Sequence, residues 1–569
     1  MSHDTSTQHP GLQSLLYGSR AADALTGSEA RTVNFGACRA LAEMVRTTLG
    51  PNGLDKLLIT SDGKAIVTND GASIIDRMEI DHPAGEMLVR VAESQARSGD
   101  GTTTAVVLAG ELLTAAETLL ERGVHQTTVI QGYSLATSRA REALREQAVT
   151  VEPADTQQLR DIAETVITGK WDGDASEFLA GKTVDAVSAV RQEEGVSFEK
   201  ITRKAIPGRS YYDSEIIDGI IINLDTSSTT AVSPETELPR TFTDATVALV
   251  DDQLTIESAT GQGAVNPETP DQLQAFRDYE RDVYENHVER IVAAGADVVF
   301  CQKSIDDPVR YLLADEGVLA VERTRQDELH KLARATGAHV VGSVFDLRPE
   351  DVGRATAFER RDLGTTELAV VTGSRNVDQV SLLLRGGTEH VADETKRVID
   401  SCFYVLKHAL EDGFVLPGGG AAEIHVARTL REYATSVSGK EQLAIEAYAD
   451  AIEVVPRTLA ESAGFDPIDV LVELRTAHHD GTVTAGLTLD TGGTGDMLSR
   501  GVIEPLAVKE RALVSASEAT NLLVRVDDVL PSSHDGGDHH DEHHDEHDHQ
   551  HGPGGLVESP HGYPWTLGH

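Results

Sequence analysis

The two ends of this chain read as helices and resemble each other in composition, while the middle alternates strands with helices. From Glu29 to Leu49 the apolar residues Val33, Ala37, Leu41, Met44 and Val45 recur at helical spacing, and Gly50-Pro51 stops that helix. A strand–turn–strand follows, with Leu57–Ile59 and Ala65–Val67 flanking the turn residues Ser61-Asp62-Gly63-Lys64. Asn69-Asp70-Gly71 leads into another helix, and a Gly-rich loop, Ser98–Gly101, precedes Thr102-Thr103-Thr104 and a long apolar helix to about Arg122. Helical patterning returns at Val391–Leu410 and over most of Glu441–Leu474. Between these ends, Ala245–Val250, Asp297–Cys301, Gly317–Val321 and Ala338–Val341 read as strands. They alternate with helices at Gln272–Ala294, Asp306–Glu316 and Leu329–Thr336. The order predicts an α/β multidomain fold in which one mostly helical domain is built from both ends and another is inserted between them.

Charge narrows the partners. Of 569 residues, 93 are Asp or Glu and 49 are Lys or Arg, a net charge of −44. Such a surface repels phosphate backbones, so neither nucleic acid nor an anionic membrane is an expected partner. At 40 % hydrophobic residues the chain still has ample material for cores. Arg far outnumbers Lys, and excess carboxylate suits a cytoplasm of molar salt, where the Debye length falls to ~3 Å. A halophilic source is therefore expected. Cys38, Cys301 and Cys402 are far apart without CxxC spacing, which indicates neither a disulfide framework nor a zinc site. Met1–Leu25 is mostly polar with no signal-like apolar region, and no apolar run is expected to span a membrane. The chain reads as cytoplasmic. From Ser532 onward, histidines such as His534, His539 and His543 are interspersed with Asp and Glu, a composition expected of a disordered tail.

Two loops suggest a phosphate site. In Gly99-Asp100-Gly101-Thr102-Thr103-Thr104, glycines allow close backbone approach, and threonines offer N–H and hydroxyl groups at a helix N-terminus. Asp100 would repel phosphate unless a cation lay between them, which points to Mg²⁺. The terminal GK[ST] of a Walker A loop is missing. On these residues alone an ordinary Gly-turn helix cap explains the loop equally well. Gly50-Pro51-Asn52-Gly53 could present backbone N–H groups to the same anion, though by itself it is a helix stop; Gly418-Gly419-Gly420 either lets a backbone approach a ligand closely or is a flexible loop, and Asn69-Asp70-Gly71 is by itself a turn.

In this order, Thr48-Leu49-Gly50-Pro51, Thr68-Asn69-Asp70-Gly71, Gly99–Thr104 and Gly418–Gly420 resemble the nucleotide loops of chaperonins. Asp271–Phe276, Val298–Lys303, Arg385–His390 and Arg457–Glu461 extend the resemblance to the archaeal group II branch, the thermosomes, over roughly residues 12–530. The resemblance implies a subunit of a double-ring ATPase that encloses and folds unfolded client proteins, alone or with paralogues. It implies an equatorial ATPase domain from 1–160 and 412–530, an intermediate domain from 161–230 and 376–411, and an apical domain with a lid protrusion at 231–375. Residues 531–569 form the tail. ATP and Mg²⁺ are the implied cofactors. Gly50, Pro51 and Gly71 fall in the nucleotide loops, Asp100 holds Mg²⁺, and Gly101, Thr102, Thr103 and Thr104 cradle phosphates. Gly419 lies near the ribose or base, Glu504 bonds the ribose, and Lys170 senses the γ-phosphate from the intermediate domain.

Three departures accompany the resemblance. Hydrolysis in the family uses two carboxylates, and Asp70 matches one. Anchoring on Arg385-Gly386-Gly387 places the other on Ser401, with Asp400 one residue earlier, a ~100° rotation on a helix. Either Asp400 substitutes through a helix adjustment, or the subunit binds ATP and hydrolyses it slowly; the second is favoured. Ser258–Pro270, in the lid-forming stretch, is polar and poor in helix formers. The tail could bind Ni²⁺, Zn²⁺ or Cu²⁺ through imidazoles, although a solvating tail with incidental metal affinity is the favoured reading. Deleting residues 532–569 is expected to abolish retention on immobilised Ni²⁺ while leaving client refolding intact; a loss of refolding would give the tail a role in the chamber.

Overall fold

The computed structural model describes residues 25–59, 63, 65–96, 99–171, 173–192, 195–224, 238–255, 269–363, 366–373 and 379–529. Met1–Ala24, turn residues Ser61, Asp62 and Lys64, Ser98, residues 258–268 of the lid-forming stretch and the His-rich tail lie outside them.

Both ends of the chain build one helical layer. Leu25–Thr26 pairs antiparallel with Asp528–Val529, and Gly27 N donates to Asp527 O at 2.9 Å. Helices Gly27–Arg46, Thr102–Glu121 and Gln126–Gln147 pack with Ala421–Ala434, Glu441–Ile452 and Leu506–Arg525 around a shared core. Leu41, Leu112 and Tyr133 meet Val426, Tyr448 and Leu513 there. The Tyr133 and Tyr448 rings stand edge to face at 5.3 Å, an arrangement that favours the positive ring edge over the negative face. Each hydroxyl finds a partner: Tyr133 donates to Leu112 O at 2.9 Å, and Tyr448 shares a 2.5 Å bond with Ser517. The Thr102–Glu121 helix is, by length and composition, long and apolar enough to cross a membrane, which corrects the expectation that no such run exists. Here its apolar surface lies in the interior of the helical layer, where Val106, Leu112 and Leu113 are fully buried.

The middle layer is a three-stranded sheet in which Val380–Gly386 pairs parallel with Ile201–Pro207 and antiparallel with Glu215–Asp218. Helices Thr156–Ile167, Gly173–Ala189 and Glu389–Asp412 pack with it around Ile162, Leu179, Leu382 and Leu406. The inserted layer is a seven-stranded mixed sheet. Its main order is Leu319–Val321, Val298–Cys301, Thr241–Val250, Gly353–Asp362, Glu367–Thr372, Ile220–Leu224, with Val340–Val341 also paired to Thr241–Val250. Within Thr241–Val250, Val247 and Leu249 face one core while Ala248 and Val250 face another. Both sides are covered, so this stretch reads as a continuous apolar run rather than an alternating one.

A largely helical domain with inserted sheet regions is therefore present. The helical patterning expected over most of Glu441–Leu474 is present as three helices, Glu441–Ile452, Val454–Ser462 and Pro467–His479, the last started by Asp466 accepting from Ile468 N at 2.8 Å. Strands Ile201–Pro207, Glu215–Asp218, Ile220–Leu224, Gly353–Asp362, Glu367–Thr372 and Val380–Gly386 add to those expected; Arg203 and Lys204 interrupt the apolar pattern of the first, and Glu359 and Arg360 that of Gly353–Asp362. Truncating Leu112 to Ala removes side-chain atoms that the two ends bury jointly, and should cost about 2–5 kcal/mol in urea denaturation of the assembled protein.

Candidate functional site

A cavity of about 920 Å³ opens between the helical layer and the middle layer. Every site residue expected from the sequence lines it: Gly50, Pro51, Asp70, Gly71, Asp100, Gly101 and Thr102–Thr104 from the first end, Lys170, Asp400 and Ser401 from the middle layer, and Gly419 and Glu504 from the second end. The volume lies in the range that takes small organic ligands.

The anion-facing part is built by helix termination. Gly101 occupies the N-cap of Thr102–Glu121 in the left-handed conformation, φ 80°, and supplies no side-chain cap. The first N–H groups of that helix therefore lack a side-chain acceptor and carry the positive end of the helix dipole. Asp100, exposed beside them, accepts from Gly101 N at 2.7 Å through Oδ1. Across the cavity, Gly169 (φ +87°) holds the loop bearing Lys170 against Pro51; a Cβ at Gly169 would stand 2.1 Å from Pro51 O. This close approach brings a cation from the middle layer to the same space as the helix N-terminus.

Asp70 caps Gly71–Asp76 by accepting from Ser73 N at 2.9 Å. Its Oδ2 also lies 2.8 Å from Arg397 Nη1. Burial alone would raise the Asp70 carboxyl, but the Arg397 and Lys170 charges and the Ser73 bonds outweigh it and hold the group below the usual carboxylate range. Asp400 also lines the cavity, but Lys396 donates to its Oδ2 at 2.9 Å, and its Oδ1 lies 2.5 Å from Arg203 Nε, an ion pair outside hydrogen-bond geometry. Ser401, one position on, backs the Gly99 loop: its carbonyl lies 2.9 Å from where a Gly99 Cβ would stand.

Arg397 and Lys509 were not foreseen. Arg397 precedes Ser401 by one helical turn, so an i, i+4 reading of Glu389–Asp412 would have found it. Lys509 carried no such signal, because Glu504 belongs to strand Ile503–Pro505 and Glu423 to a distant helix. Lys509 Nζ lies 2.7 Å from Glu504 and 2.8 Å from Glu423. Burial and the Glu423 charge push the Glu504 carboxyl up against the opposing pull of Lys509.

The geometry defines a class: a protein folded from both chain ends around a Gly- and Thr-rich cleft, with a separate sheet inserted beyond a middle layer. The chain belongs to the TCP-1/cpn60 chaperonin family, whose pattern matches residues 41–534. It is 44 % identical to thermosome subunit alpha of Halobacterium salinarum over 92 % of each chain. Similarity is equally extensive to the thermosome subunit of Methanopyrus kandleri, 45 % identical over 89 % of this chain and 92 % of that one. Thermosome subunit 1 of Haloferax volcanii is 44 % identical over 89 % of each.

Two measurements probe the electrostatics. Lys509→Met leaves two carboxylates without their shared cation and should cost about 3–5 kcal/mol in guanidinium denaturation. Because the Asp70 carboxyl is depressed, its stabilising contribution is present above the ordinary carboxylate range and lost as pH falls through the folded value. Arg397→Met removes the main charge opposing burial, so the acid-unfolding midpoint should move to higher pH.

Proposed function

We propose that this chain is an ATP-driven molecular chaperone subunit that assembles, with copies of itself or with paralogues, into a double ring enclosing unfolded proteins in the cytoplasm. One observation carries the reading: an open helix N-terminus, Asp70, Asp100 and Lys170 converge on a single cavity large enough for a nucleotide. ATP would lay its phosphates over the N–H groups of Thr102–Thr104, which already favour anions. Asp100 suits a divalent cation, since an exposed carboxylate beside a phosphate-accepting helix end is repulsive until a hard cation lies between them. Mg²⁺ bound there would neutralise phosphate charge. Gly50 and Pro51 would contact the nucleotide, Gly419 the ribose or base, and Glu504 a ribose hydroxyl. Lys170 would meet the γ-phosphate. Asp70 would orient the attacking water.

The proposed division is equatorial for 1–160 and 412–530, intermediate for 161–219 and 376–411, and apical for 220–375, the apical part starting earlier than the resemblance implied because strand Ile220–Leu224 pairs with Glu367–Thr372 in the inserted sheet. Assembly is supported by the Lys56–Thr68 hairpin, where Leu57, Ile59 and Val67 are 63 %, 75 % and 60 % exposed. An apolar two-stranded edge of this kind needs a cover. The carboxylate excess suits assembly in concentrated salt.

A second reading, a nucleotide-binding ring subunit with weak hydrolysis, is favoured by the pairing of Asp400 with Arg203 and Lys396 while a serine occupies the next position. A serine is not a base near neutral pH.

Electron microscopy of the purified chain in high salt should show stacked rings; a monomer would refute the reading. Asp100→Ala should weaken Mg²⁺-dependent ATP binding, measured by fluorescent-nucleotide titration, roughly tenfold or more. Ser401→Asp should raise ATP turnover well above that of the unmodified chain, and equal rates would remove the weak-hydrolysis reading.

A further inference from the structure

Asp400 sits between the large cavity and the middle sheet. Its Oδ1 is 2.5 Å from Arg203 Nε, and Arg203 belongs to strand Ile201–Pro207 of the middle sheet. The Arg203 guanidinium also lies 5.1 Å from the centre of the Phe403 ring, on the same helix as Asp400. The next strand residue, Lys204, is 3.6 Å from Glu328 on helix Gln326–Thr336, which packs on the inserted sheet. A turn before Asp400, Arg397 holds Asp70 in the large cavity. A second cavity, of about 340 Å³, separates the middle and inserted sheets, and Arg203, Lys204, Glu328 and Lys396 line it.

These pairs are partly buried: side-chain exposure is 26 % and 24 % for Arg203 and Asp400, 17 % and 12 % for Lys204 and Glu328. At that depth salt screens them less than surface pairs, and separating one leaves a poorly solvated charge. A shift of helix Glu389–Asp412 that alters the Arg397–Asp70 contact must therefore carry strand Ile201–Pro207 with it or break the Asp400–Arg203 pair. The strand in turn positions Lys204 against Glu328.

We propose that Asp400 is a positioning residue rather than a proton acceptor: through Arg203 it transmits the placement of the cavity-facing helix to the Lys204–Glu328 contact beneath the inserted sheet. The carboxylate that resemblance would place at 401 stands one residue earlier, ~100° around the helix, and serves the strand instead of the cavity. This connects the proposed nucleotide site to the inserted domain and rests on that reading for its turnover arm only.

The test uses the full chain in its native assembly. Arg203→Met, Asp400→Asn, the double variant and the charge-keeping Arg203→Lys are compared by hydrogen–deuterium exchange without nucleotide and by ATP turnover. Arg203→Met and Asp400→Asn should each raise exchange over residues 326–336 several-fold, the double no more than either, and Arg203→Lys, which keeps a cation opposite Asp400, should stay near the unmodified level. Turnover should change in kcat, with KM held within about twofold. Exchange confined to residues 393–404, or additive single effects, would overturn the proposal. So would an Asp400→Asn variant without turnover beside an unaffected Arg203→Met, the pattern of a general base. If the unmodified chain binds no nucleotide, the proposed function fails, and the exchange data still decide whether Asp400 couples the two layers.

Discussion

Burial of the Thr102–Glu121 helix is the constraint on which the rest of the structure depends. Its sides pack against Gly27–Arg46 from the first end of the chain and Leu506–Arg525 from the second, while its N-terminus opens into the large cavity. The apolar contacts that hold the helix thereby fix the direction of its dipole at the candidate site. A helix so apolar has two ways to leave water, a bilayer or a protein interior, and helices from both chain ends supply the interior.

The middle layer converts this fixed platform into something that can respond. Arg397 and Ser401 reach the cavity from helix Glu389–Asp412, which packs on the central sheet, and Lys170 from the turn after Thr156–Ile167. That sheet joins distant stretches of sequence: Val380–Gly386 pairs with Ile201–Pro207 across the whole inserted segment. Two chain crossings therefore link the inserted sheet to the platform, one on each side of it in sequence. A connection with two crossings limits the relative motions available more than a single linker would.

What could be read from the residues alone followed from local chemistry. Gly99–Thr104 announced itself because glycine and threonine before an apolar run are what an open helix N-terminus requires. Four strands of the inserted sheet, Thr241–Val250, Val298–Cys301, Leu319–Val321 and Val340–Val341, were legible as short apolar runs, since both faces of the sheet are covered there. Ile201–Pro207 was not, because Arg203 and Lys204 break its pattern to make pairs with residues more than a hundred positions away. Lys170 by itself carries no more signal than any loop lysine, and its place beside the cavity depends on Gly169 meeting Pro51. The displacement of the aspartate to position 400 was visible, but not its use. Arg203 and Lys396 become its partners only after the strand and helix have packed.

Joining the ends of the chain also has a temporal side. A ribosome releases the first end early, yet the core around Leu112 and Tyr133 waits for Val426, Tyr448 and Leu513. During that interval the inserted sheet, whose strands all lie between Ile220 and Thr372, has every pairing partner it needs. The lower cleft has not: Gly419 and Glu504, which complete its wall, come late. The pairing partners of the inserted sheet are thus all synthesised before the cleft has its full set of walls, and a chain cut short before Gly419 would lack the wall that Gly419 and Glu504 complete.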